Sequence, residues 1–463
     1  MRINFTNKEF DLKDLKNKAI LGTLIHCPKR GVIEFSENAL LIIDGEGKIV
    51  DHLKNDALNH EQTKNKFKDA SALYQLLDHQ YLLPGFTDLH IHAPQWPQLG
   101  KALDVPLEVW LQKYTFPLEA KYEDEEFART IYSELVTSLL RAGTTTAVYY
   151  GTIHQRANQI LADVCINKGQ RAIIGKVVMD NADQCPDYYR DESTQAAIDG
   201  TSEFLDYVKN HGQNIENKVS VAVTPRFIPS CTDEALNALG DLASKHSSYV
   251  QTHCSESDWE HNYVIERCGK SDTEALMEYG LLTKSTILAH GNFISENDMD
   301  LIKGQGAGIA HCPLSNYFFS DAVFPLRRAL EKGLRVGLGT DISGGPSASV
   351  LDSCRSAITA ARALENGTDP NLERDDRGVP KSRVDFSDAF YLATKGGAEV
   401  LDLSTGSFEK GSFFDAILID TKVDNAIIPV YEDIDSELDL VQKIIMLATT
   451  ANIMKTWISG SSV

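Results

Sequence analysis

The sequence predicts a protein of the α/β class, a TIM (β/α)8 barrel with a small β-sandwich domain assembled from the N- and C-terminal segments. Three observations predict this fold. Short apolar runs recur eight times between residues 82 and 345, amphipathic stretches of helical length separate them, and both flanks alternate apolar with polar residues. Eight strand–helix repeats favour a barrel, and a doubly wound sheet is the alternative. We therefore expect β-domain segments at 1–81 and 405–463 and the barrel at 82–404.

The eight runs have the character of parallel strands that are covered on both faces, because each is short and almost continuously apolar. They span residues 83–92, 143–151, 172–179, 219–227, 249–256, 286–291, 308–313 and 335–341. Helices are predicted between them at 127–141, 195–208 and 295–303, from their length and their period of 3.6 residues. Ser295 is a suitable N-cap for the last of these helices.

The flanking segments have a different pattern. Residues 18–53 alternate apolar and polar positions around turn signals at 28–31 and 44–47, which predicts hairpins. Residues 413–419, 440–449 and 453–458 are also predicted to be strands. Neither flank contains enough strands for a stable sandwich of its own, so we expect the two to combine in one β domain.

Composition restricts the possible functions. The chain has 463 residues, with 45 Lys and Arg against 66 Asp and Glu, and its net charge of −21 disfavours nucleic acid and anionic membranes as partners. No run approaches the roughly 20 apolar residues of a membrane-spanning helix, and residues 1–8 lack the apolar core of a signal peptide. The eight cysteines form no Cys-x-x-Cys pair, which excludes zinc-finger spacing and the signature of small zinc base deaminases. We expect a cytoplasmic protein with reduced thiols.

Histidines collect where the predicted strands end. In a TIM barrel the carboxyl ends of the strands form the functional face, and His90, His92, His253, His290 and Asp341 all lie at such ends. The first two are separated by one residue, so both rings point to the same side of the strand. Three imidazoles and a carboxylate converging there are suitable ligands for a catalytic Zn²⁺ or Fe²⁺.

Two of these strand-end histidines have an alternative interpretation. His290 could instead be a hydrogen-bonded core histidine. The same interpretation is the favoured one for His311, at the end of the seventh strand. Neither is needed to complete the predicted ligand set.

The strand-end motifs resemble those of the amidohydrolase superfamily. The resemblance is carried by Pro-Gly-Phe-x-Asp-x-His-x-His at 84–92, by the strand-5 histidine, by His290-Gly291 and by Gly-Thr-Asp at 339–341. Members of that superfamily combine a metal-dependent TIM barrel with a β domain built from both termini. The resemblance therefore implies the architecture that the periodicity also predicts.

Within the superfamily, four further segments are similar to members that deaminate guanine. These segments lie at 93–95, 110–117, 224–227 and 309–313, and the similarity extends from about residue 19 to the C-terminus. Pro94 and Leu314 depart from the pattern, since more polar residues are expected there. Neither is a predicted metal ligand.

The resemblance implies one metal ion for each chain, held by His90, His92, His253 and Asp341. These donors suit either Zn²⁺ or Fe²⁺. Binuclear members carry a bridging carboxylated lysine at the end of strand 4. This chain has Thr-Pro-Arg at 224–226 instead, and Lys176 lies in the middle of strand 3. A second metal is therefore not expected.

Three catalytic residues follow from the same resemblance. Asp341 is expected to accept the proton of the attacking water, and Glu256 to protonate a ring nitrogen and then the departing amine. His290 is expected to orient the attacking hydroxide and to stabilise charge that develops during the reaction.

The predicted substrate contacts include two that read the purine edges. Arg226 offers a planar pair of donors to O6 and N7, and the Gln95 amide reads the remaining edge. Trp96 and Phe227 are candidates for stacking on the ring or for lining the pocket. The full set of predicted substrate contacts is His92, Ala93, Pro94, Gln95, Arg226, Phe227, His253, Glu256 and Asp341.

The expected activity is the hydrolytic deamination of guanine to xanthine and ammonia, by a homodimer as the resemblance implies. One alternative is a deaminase or chlorohydrolase of another aminated heterocycle, such as cytosine, a triazine or an adenine-type base. Another is a catalytically dead barrel that serves as a binding or scaffold protein. The last is disfavoured because every predicted ligand and Glu256 are present.

Overall fold

The computed structural model of the chain describes residues 14–463. Its first five strands form most of a mixed sheet that is separate from the barrel sheet. A long hairpin is joined by a third antiparallel strand, and two later strands run parallel to the first. These strands are β1 (Ala19–Lys29), β2 (Val32–Ile43), β3 (Ile49–Leu53), β4 (Leu73–Gln75) and β5 (Gln80–Pro84). The hairpins predicted in residues 18–53 are thus confirmed.

The barrel begins directly after this sheet, with Gly85 as the only residue between β5 and the next strand. A side chain at Gly85 would collide with Thr145, because an added Cβ would lie 2.2 Å from its Cγ2. The barrel strands are β6 (Phe86–His92), β7 (Thr144–Tyr150), β8 (Arg171–Gly175), β9 (Val177–Val178), β10 (Val219–Pro225), β11 (Tyr249–Cys254), β12 (Thr286–His290), β13 (Gly308–His311) and β14 (Arg335–Leu338).

The barrel strands are parallel and follow the order β6-β7-β8-β10-β11-β12-β13-β14, with β9 extending the β8 edge against β10. Backbone hydrogen bonds between β6 and the residues that follow β14 close the barrel. Asp341 N donates to His90 O at 2.8 Å, and His92 N donates to Ile342 O at 2.9 Å. Asp88 reinforces the closure by accepting from Thr340 Oγ1 at 2.6 Å. All eight predicted runs contain barrel strands, and the TIM barrel is confirmed.

Helices surround the barrel and fill the loops at its ends. The three predicted helices are confirmed, and Ser295 caps the last of them in a capping box with Asp298. The helices are α1 (His60–Asp69), α2 (Leu107–Trp110), α3 (Phe116–Glu119), α4 (Glu125–Arg141), α5 (Gln155–Lys168), α6 (Thr194–Lys209), α7 (Asp233–His246), α8 (Asp258–Cys268), α9 (Asp272–Glu278), α10 (Glu296–Gln305), α11 (Pro313–Phe319), α12 (Leu326–Lys332), α13 (Val350–Asn366), α14 (Phe386–Tyr391), α15 (Gly397–Val400) and α16 (Glu437–Leu447). Short π-helical turns follow α2 and α14, at Leu111–Thr115 and Leu392–Gly396.

The C-terminal segment returns to the first sheet and completes the β domain. Its strands are β15 (Ala416–Asp420), β16 (Lys422–Val423), β17 (Ala426–Ile427), β18 (Ile453–Ile458) and β19 (Ser461–Ser462). The mixed sheet has the order β19-β18-β15-β5-β1-β2-β3, so strands from both chain ends lie side by side. A β domain assembled from both termini is confirmed. Its main strands form one mixed sheet, and β16 and β17 pair in a separate two-stranded ribbon.

One predicted strand is wrong. Residues 440–449 lie mostly in helix α16, which Ser436 and Asp439 begin with a capping box. Leu440, Val441, Ile444 and Ile445 are buried, and this spacing is that of one helical face rather than of a strand. The β-branched residues suggested a strand, but the cap and the spacing decide for the helix.

Two further findings concern the chain as a whole. None of the helices in residues 14–463 is both long and apolar enough to cross a membrane. All eight cysteines fall within this part of the chain and are free thiols, seven of them buried.

Candidate active site

The carboxyl ends of the barrel strands bring the predicted site residues together. Three of the residues at or just beyond these ends have backbone angles in the left-handed region, with φ of 48° at Ser255, 73° at His290 and 49° at Asp341. Side chains other than glycine adopt such angles at an energetic cost, and the cost recurs at functional sites. The strained turns aim His290 and Asp341 inward and place Glu256 beside them.

The four predicted metal ligands form one buried cluster. His92 Nε2 lies 3.0 Å from His253 Nε2, and Asp341 Oδ1 lies 3.2 Å from His90 Nε2 and 3.6 Å from His92 Nε2. The three histidines offer nitrogens within 4.8 Å of one another, so a single ion can be reached by all of them. His90 and His92 project to the same side of β6, as their spacing predicted.

The chemistry of these donors fits a metal ion. His253 Nδ1 donates to the carbonyl of Arg226 at 2.6 Å, which leaves the lone pair of Nε2 facing the cluster. His90 Nε2 is buried and makes no hydrogen bond with any residue of the described chain. Burial, reinforced by neighbouring charges, lowers the pKa of His90, His92 and His253 well below the ordinary value. Neutral rings with converging lone pairs are the form that binds a cation.

His290 is fixed by a chain of amides. Asn292 Nδ2 donates to the carbonyl of Glu256, Asn316 Nδ2 donates to Asn292 Oδ1, and His290 Nδ1 then donates to Asn316 Oδ1 at 2.9 Å. This sequence of donors fixes both amide orientations and the histidine tautomer. Burial lowers the pKa of His290, so its Nε2 is a hydrogen-bond acceptor. That atom faces Glu256 Oε1 at 3.5 Å and Asp341 Oδ2 at 3.9 Å.

The carboxyl groups of Glu256 and of the cluster residue Asp341 are both buried. Burial raises the pKa of Glu256 well above its ordinary range, and the negative charge of Asp341 raises it further. Burial also raises the pKa of Asp341. The strongly raised pKa suits Glu256 to general acid catalysis.

A pocket adjoins the cluster and opens toward the protein surface. Apolar walls come from α2, the π-helical turn and α11, and polar groups converge at one end. The lining residues are His92, Gln95, Leu107, Trp110, Leu111, Arg226, Phe227, His253, Glu256, Phe319, Asp341 and Gly344.

Three residues that the sequence associated with the substrate lie outside this lining. Ala93 and Pro94 are buried in the 3₁₀ turn that leads from β6 to Gln95. Trp96 is only partly buried, and its indole nitrogen donates to Glu134 on α4. Phe227 does line the cavity.

Glu119 is a site residue that sequence reasoning missed. This fully buried carboxylate accepts from Arg226 Nη1 at 2.7 Å and from Arg226 Nη2 at 3.2 Å. Burial alone would lower the pKa of Arg226, but the carboxylate raises it above the ordinary value. The two terminal nitrogens of the guanidinium therefore face Glu119. Glu119 lies at the end of a short helix, so no strand-end position marked it.

His311 and Cys312 extend the polar region below the cluster. His311 is buried against Phe324, with 5.1 Å between the ring centroids, and burial lowers its pKa to about 3. Nitrogens of His90 and His290 and the sulfur of Cys312 also lie within 4.8 Å of one another. His311 itself belongs to no group of potential ligands in the described chain.

Known proteins share this sequence and this architecture. The model of the amidohydrolase family matches residues 81–463. The chain is 37% identical to the guanine deaminase of Dictyostelium discoideum, over 96% of this chain and 98% of that protein, and 34% identical to the human guanine deaminase, over 96% and 95%. The structure of the guanine deaminase from C. acetobutylicum with bound guanine superposes with a TM-score of 0.85 at 30% identity, covering 96% of this chain and 99% of that one.

The matched region contains every barrel strand, each predicted metal ligand and Glu256. The resemblance seen in the strand-end motifs is thereby confirmed. This chain is a member of the amidohydrolase family.

Proposed function

We propose that this protein catalyses the hydrolytic deamination of guanine, in which water replaces the 2-amino group and xanthine and ammonia are formed. The observation that carries the proposal is one pocket at the three-histidine, one-aspartate cluster, lined by His92, His253, Asp341, Glu256, Gln95 and Arg226. Full-length similarity to guanine deaminases, one of them solved with bound guanine, supports it.

The proposed cofactor is one Zn²⁺ for each chain, bound by His90, His92, His253 and Asp341, with Fe²⁺ suited to the same donors. When bound, such an ion lowers the pKa of water toward 7 and makes a nucleophile available at neutral pH. Glu256 and His290 are nearby but have other tasks in this proposal.

The chain's own residues move the protons. Asp341 accepts a proton from the attacking water, and His290 uses Nε2 to accept a hydrogen bond that orients that water. Glu256, which holds a proton because its pKa is raised, donates it to a ring nitrogen of guanine. The ionised Glu256 then takes the hydroxyl proton of the tetrahedral carbon and gives it to the amine as the C–N bond breaks. The proton held by Asp341 restores Glu256. Acid–base assistance of this kind accelerates reactions by roughly 10²–10⁴-fold.

The cavity holds the purine between apolar walls and polar ends. Phe227 and Trp110 provide apolar surface on which the ring can lie. Arg226 presents N–H donors toward the acceptors O6 and N7, and the Gln95 amide reads the remaining purine edge. Nη1 and Nη2 of Arg226 each donate one hydrogen to Glu119. The substrate can therefore accept hydrogen bonds only from guanidinium hydrogens that are still free, and not from the full planar set of donors.

A substrate panel tests the proposal. Ammonia release from guanine, adenine, cytosine and a triazine is measured with the metal-loaded protein, and xanthine is identified by its ultraviolet spectrum. We expect kcat/KM for guanine to exceed the others by at least about 10²-fold. Preference for another heterocycle, or no release from any, contradicts the proposed function.

Two further features complete the proposal. We place the enzyme in the cytoplasm, which the eight free thiols support because such compartments keep cysteines reduced. We also propose a homodimer, which the resemblance implies. Sedimentation of the purified protein at several concentrations tests the dimer, and a constant mass of 51.2 kDa would contradict it.

A further inference from the structure

Glu119 is buried beside two polar residues that line the cavity, Gln95 and Arg226. Its Oε2 accepts from Arg226 Nη1 at 2.7 Å, and its Oε1 accepts from Arg226 Nη2 at 3.2 Å and from Gln95 Nε2 at 2.9 Å. The carboxylate has no solvent exposure, and the guanidinium is only 3% exposed. One buried residue thus contacts both groups that the proposed function assigns to the purine edges.

The contact fixes the orientation of the Gln95 amide. Gln95 Oε1 accepts from the backbone N–H of Ser343 at 3.1 Å, so the amide oxygen is turned away from Glu119. Glu119 accepts from the amide nitrogen on the other side. A flipped amide would set oxygen against carboxylate and N–H against N–H, leaving buried groups unsatisfied at a cost of about 1–3 kcal/mol each. Gln95 therefore presents its second N–H as a donor.

The contact also compensates the charge of Arg226. Within residues 14–463, Glu119 is the only carboxylate that forms an ion pair with this guanidinium. An unpaired guanidinium in a closed cavity would attract anions. With Glu119 in place, the pair carries no net charge. Nη1 also donates to Met179 Sδ at 3.7 Å, so the hydrogens left for a neutral ring are those on Nε and the second one on Nη2.

We propose that Glu119 is a specificity-determining positioning residue, which orients Gln95 and Arg226 as donors and keeps this end of the cavity selective for neutral purines over anionic ones. The inference rests on the proposed function. Glu119 does not touch the reacting atoms, so its influence falls on substrate binding rather than on the chemical step.

The main test is Glu119→Gln, with Asp415→Asn as the matched control. Asp415 is a buried carboxylate that pairs with Arg171 through two hydrogen bonds of 3.1 and 3.3 Å, beside the β domain. Each variant removes the negative charge of a carboxylate that pairs with a buried arginine. We expect Glu119→Gln to raise KM for guanine about tenfold or more, with kcat changed less than about threefold and metal content unchanged. We expect Asp415→Asn to lower the melting temperature while leaving KM within about twofold.

Charge selectivity is a readout that a structural role would not change. Inhibition is measured with hypoxanthine, which is neutral at pH 7.5, and urate, which is an anion there; both carry the 6-oxo edge. Glu119→Gln should shift the ratio of the two inhibition constants about tenfold toward urate, because the positive charge of Arg226 is no longer compensated. Asp415→Asn should leave this ratio unchanged.

A second variant covers the case in which Glu119→Gln does not fold. Glu119→Asp keeps the charge on a shorter side chain, so it should retain the preference for hypoxanthine while KM rises. An Asp variant that binds urate as strongly as hypoxanthine would contradict the charge argument.

The outcomes separate the two proposals. If the wild type does not deaminate guanine, the proposed function fails. If the wild type is active but Glu119→Gln changes neither KM nor the inhibitor ratio, the function stands and the inference about Glu119 is wrong. A loss confined to kcat, or an equal change in Asp415→Asn, also overturns it.

Discussion

The mouth of the barrel and the core of the β domain are both buried, but the mouth contains titratable side chains and the β-domain core is formed by an apolar cluster. At the mouth, His90, His290 and Asp341 are at most 5% exposed, and burial shifts the pKa of each. In the β domain, Phe414 and Trp457 are fully buried within an apolar cluster. Burial stabilises the second region and opposes the charged states of the first. Burying the titratable groups at the mouth therefore costs stability, whereas burying the apolar cluster of the β domain adds to it.

The largest expected effect comes from removing a metal ligand. His90→Ala should abolish metal binding and lower kcat/KM by at least about 10⁴-fold, because the nucleophile is no longer available at neutral pH. Elemental analysis and ammonia release measure the two effects. The fold should persist, since the mouth contributes little to stability. A variant that still holds one ion per chain would show that the ligand assignment is wrong.

A truncation in the β-domain core should lower the stability and leave kcat/KM nearly unchanged, which is the opposite of the result expected for His90→Ala. Phe414→Ala removes a ring from the cluster with Phe408 and Trp457, and we expect a loss of about 3–5 kcal/mol in the free energy of unfolding. Chemical denaturation measures it. At a temperature where the variant is folded, kcat/KM should remain within about twofold of wild type. A large loss of kcat/KM in the folded variant would mean that the two regions are not separable.

Glu256→Gln sharpens the comparison within the mouth. It removes the proton that Glu256 carries while keeping size and metal, so kcat should fall by at least about 10²-fold. Its melting temperature should stay at or above that of wild type, because a neutral amide replaces a carboxyl group that is costly to bury. Wild-type turnover in a metal-replete variant would remove Glu256 from the mechanism.

The smallest effect concerns His26, a buried titratable residue of the β domain. His26 Nδ1 accepts from the backbone N–H of Phe408 at 3.2 Å, and burial, together with the neighbouring His52, lowers its pKa to about 4. An unfolded histidine titrates near 6.5, so the stability from the neutral ring is complete above that pH and is lost as the pH falls toward 4. Between pH 7 and 5 the wild type should lose about 2 kcal/mol more than His26→Gln in urea unfolding. Equal losses in both proteins would exclude His26 as the cause.

The two regions were also unequally predictable from the sequence. At the mouth, His90 and His92 follow from the two-residue period of a strand, and His253 and Asp341 from their positions at strand ends. Glu119 and Asn316 were missed because they come from helices, and the placement of a helix over the mouth depends on loop geometry that no short motif encodes. In the β domain, α16 was taken for a strand because of its β-branched residues Val441, Ile444 and Ile445. Its four-residue spacing and its cap indicated a helix.

If His90, His92, His253 and Asp341 hold the one metal ion on which guanine deamination depends, activity must follow metal content. The most direct test is ammonia release from guanine while metal-free protein is titrated with Zn²⁺, and in parallel with Fe²⁺ under anaerobic conditions. We expect activity to rise linearly from the background rate and to reach a plateau at one ion per chain. Full activity without added metal, in protein shown by elemental analysis to contain none, or a plateau at two ions would contradict it.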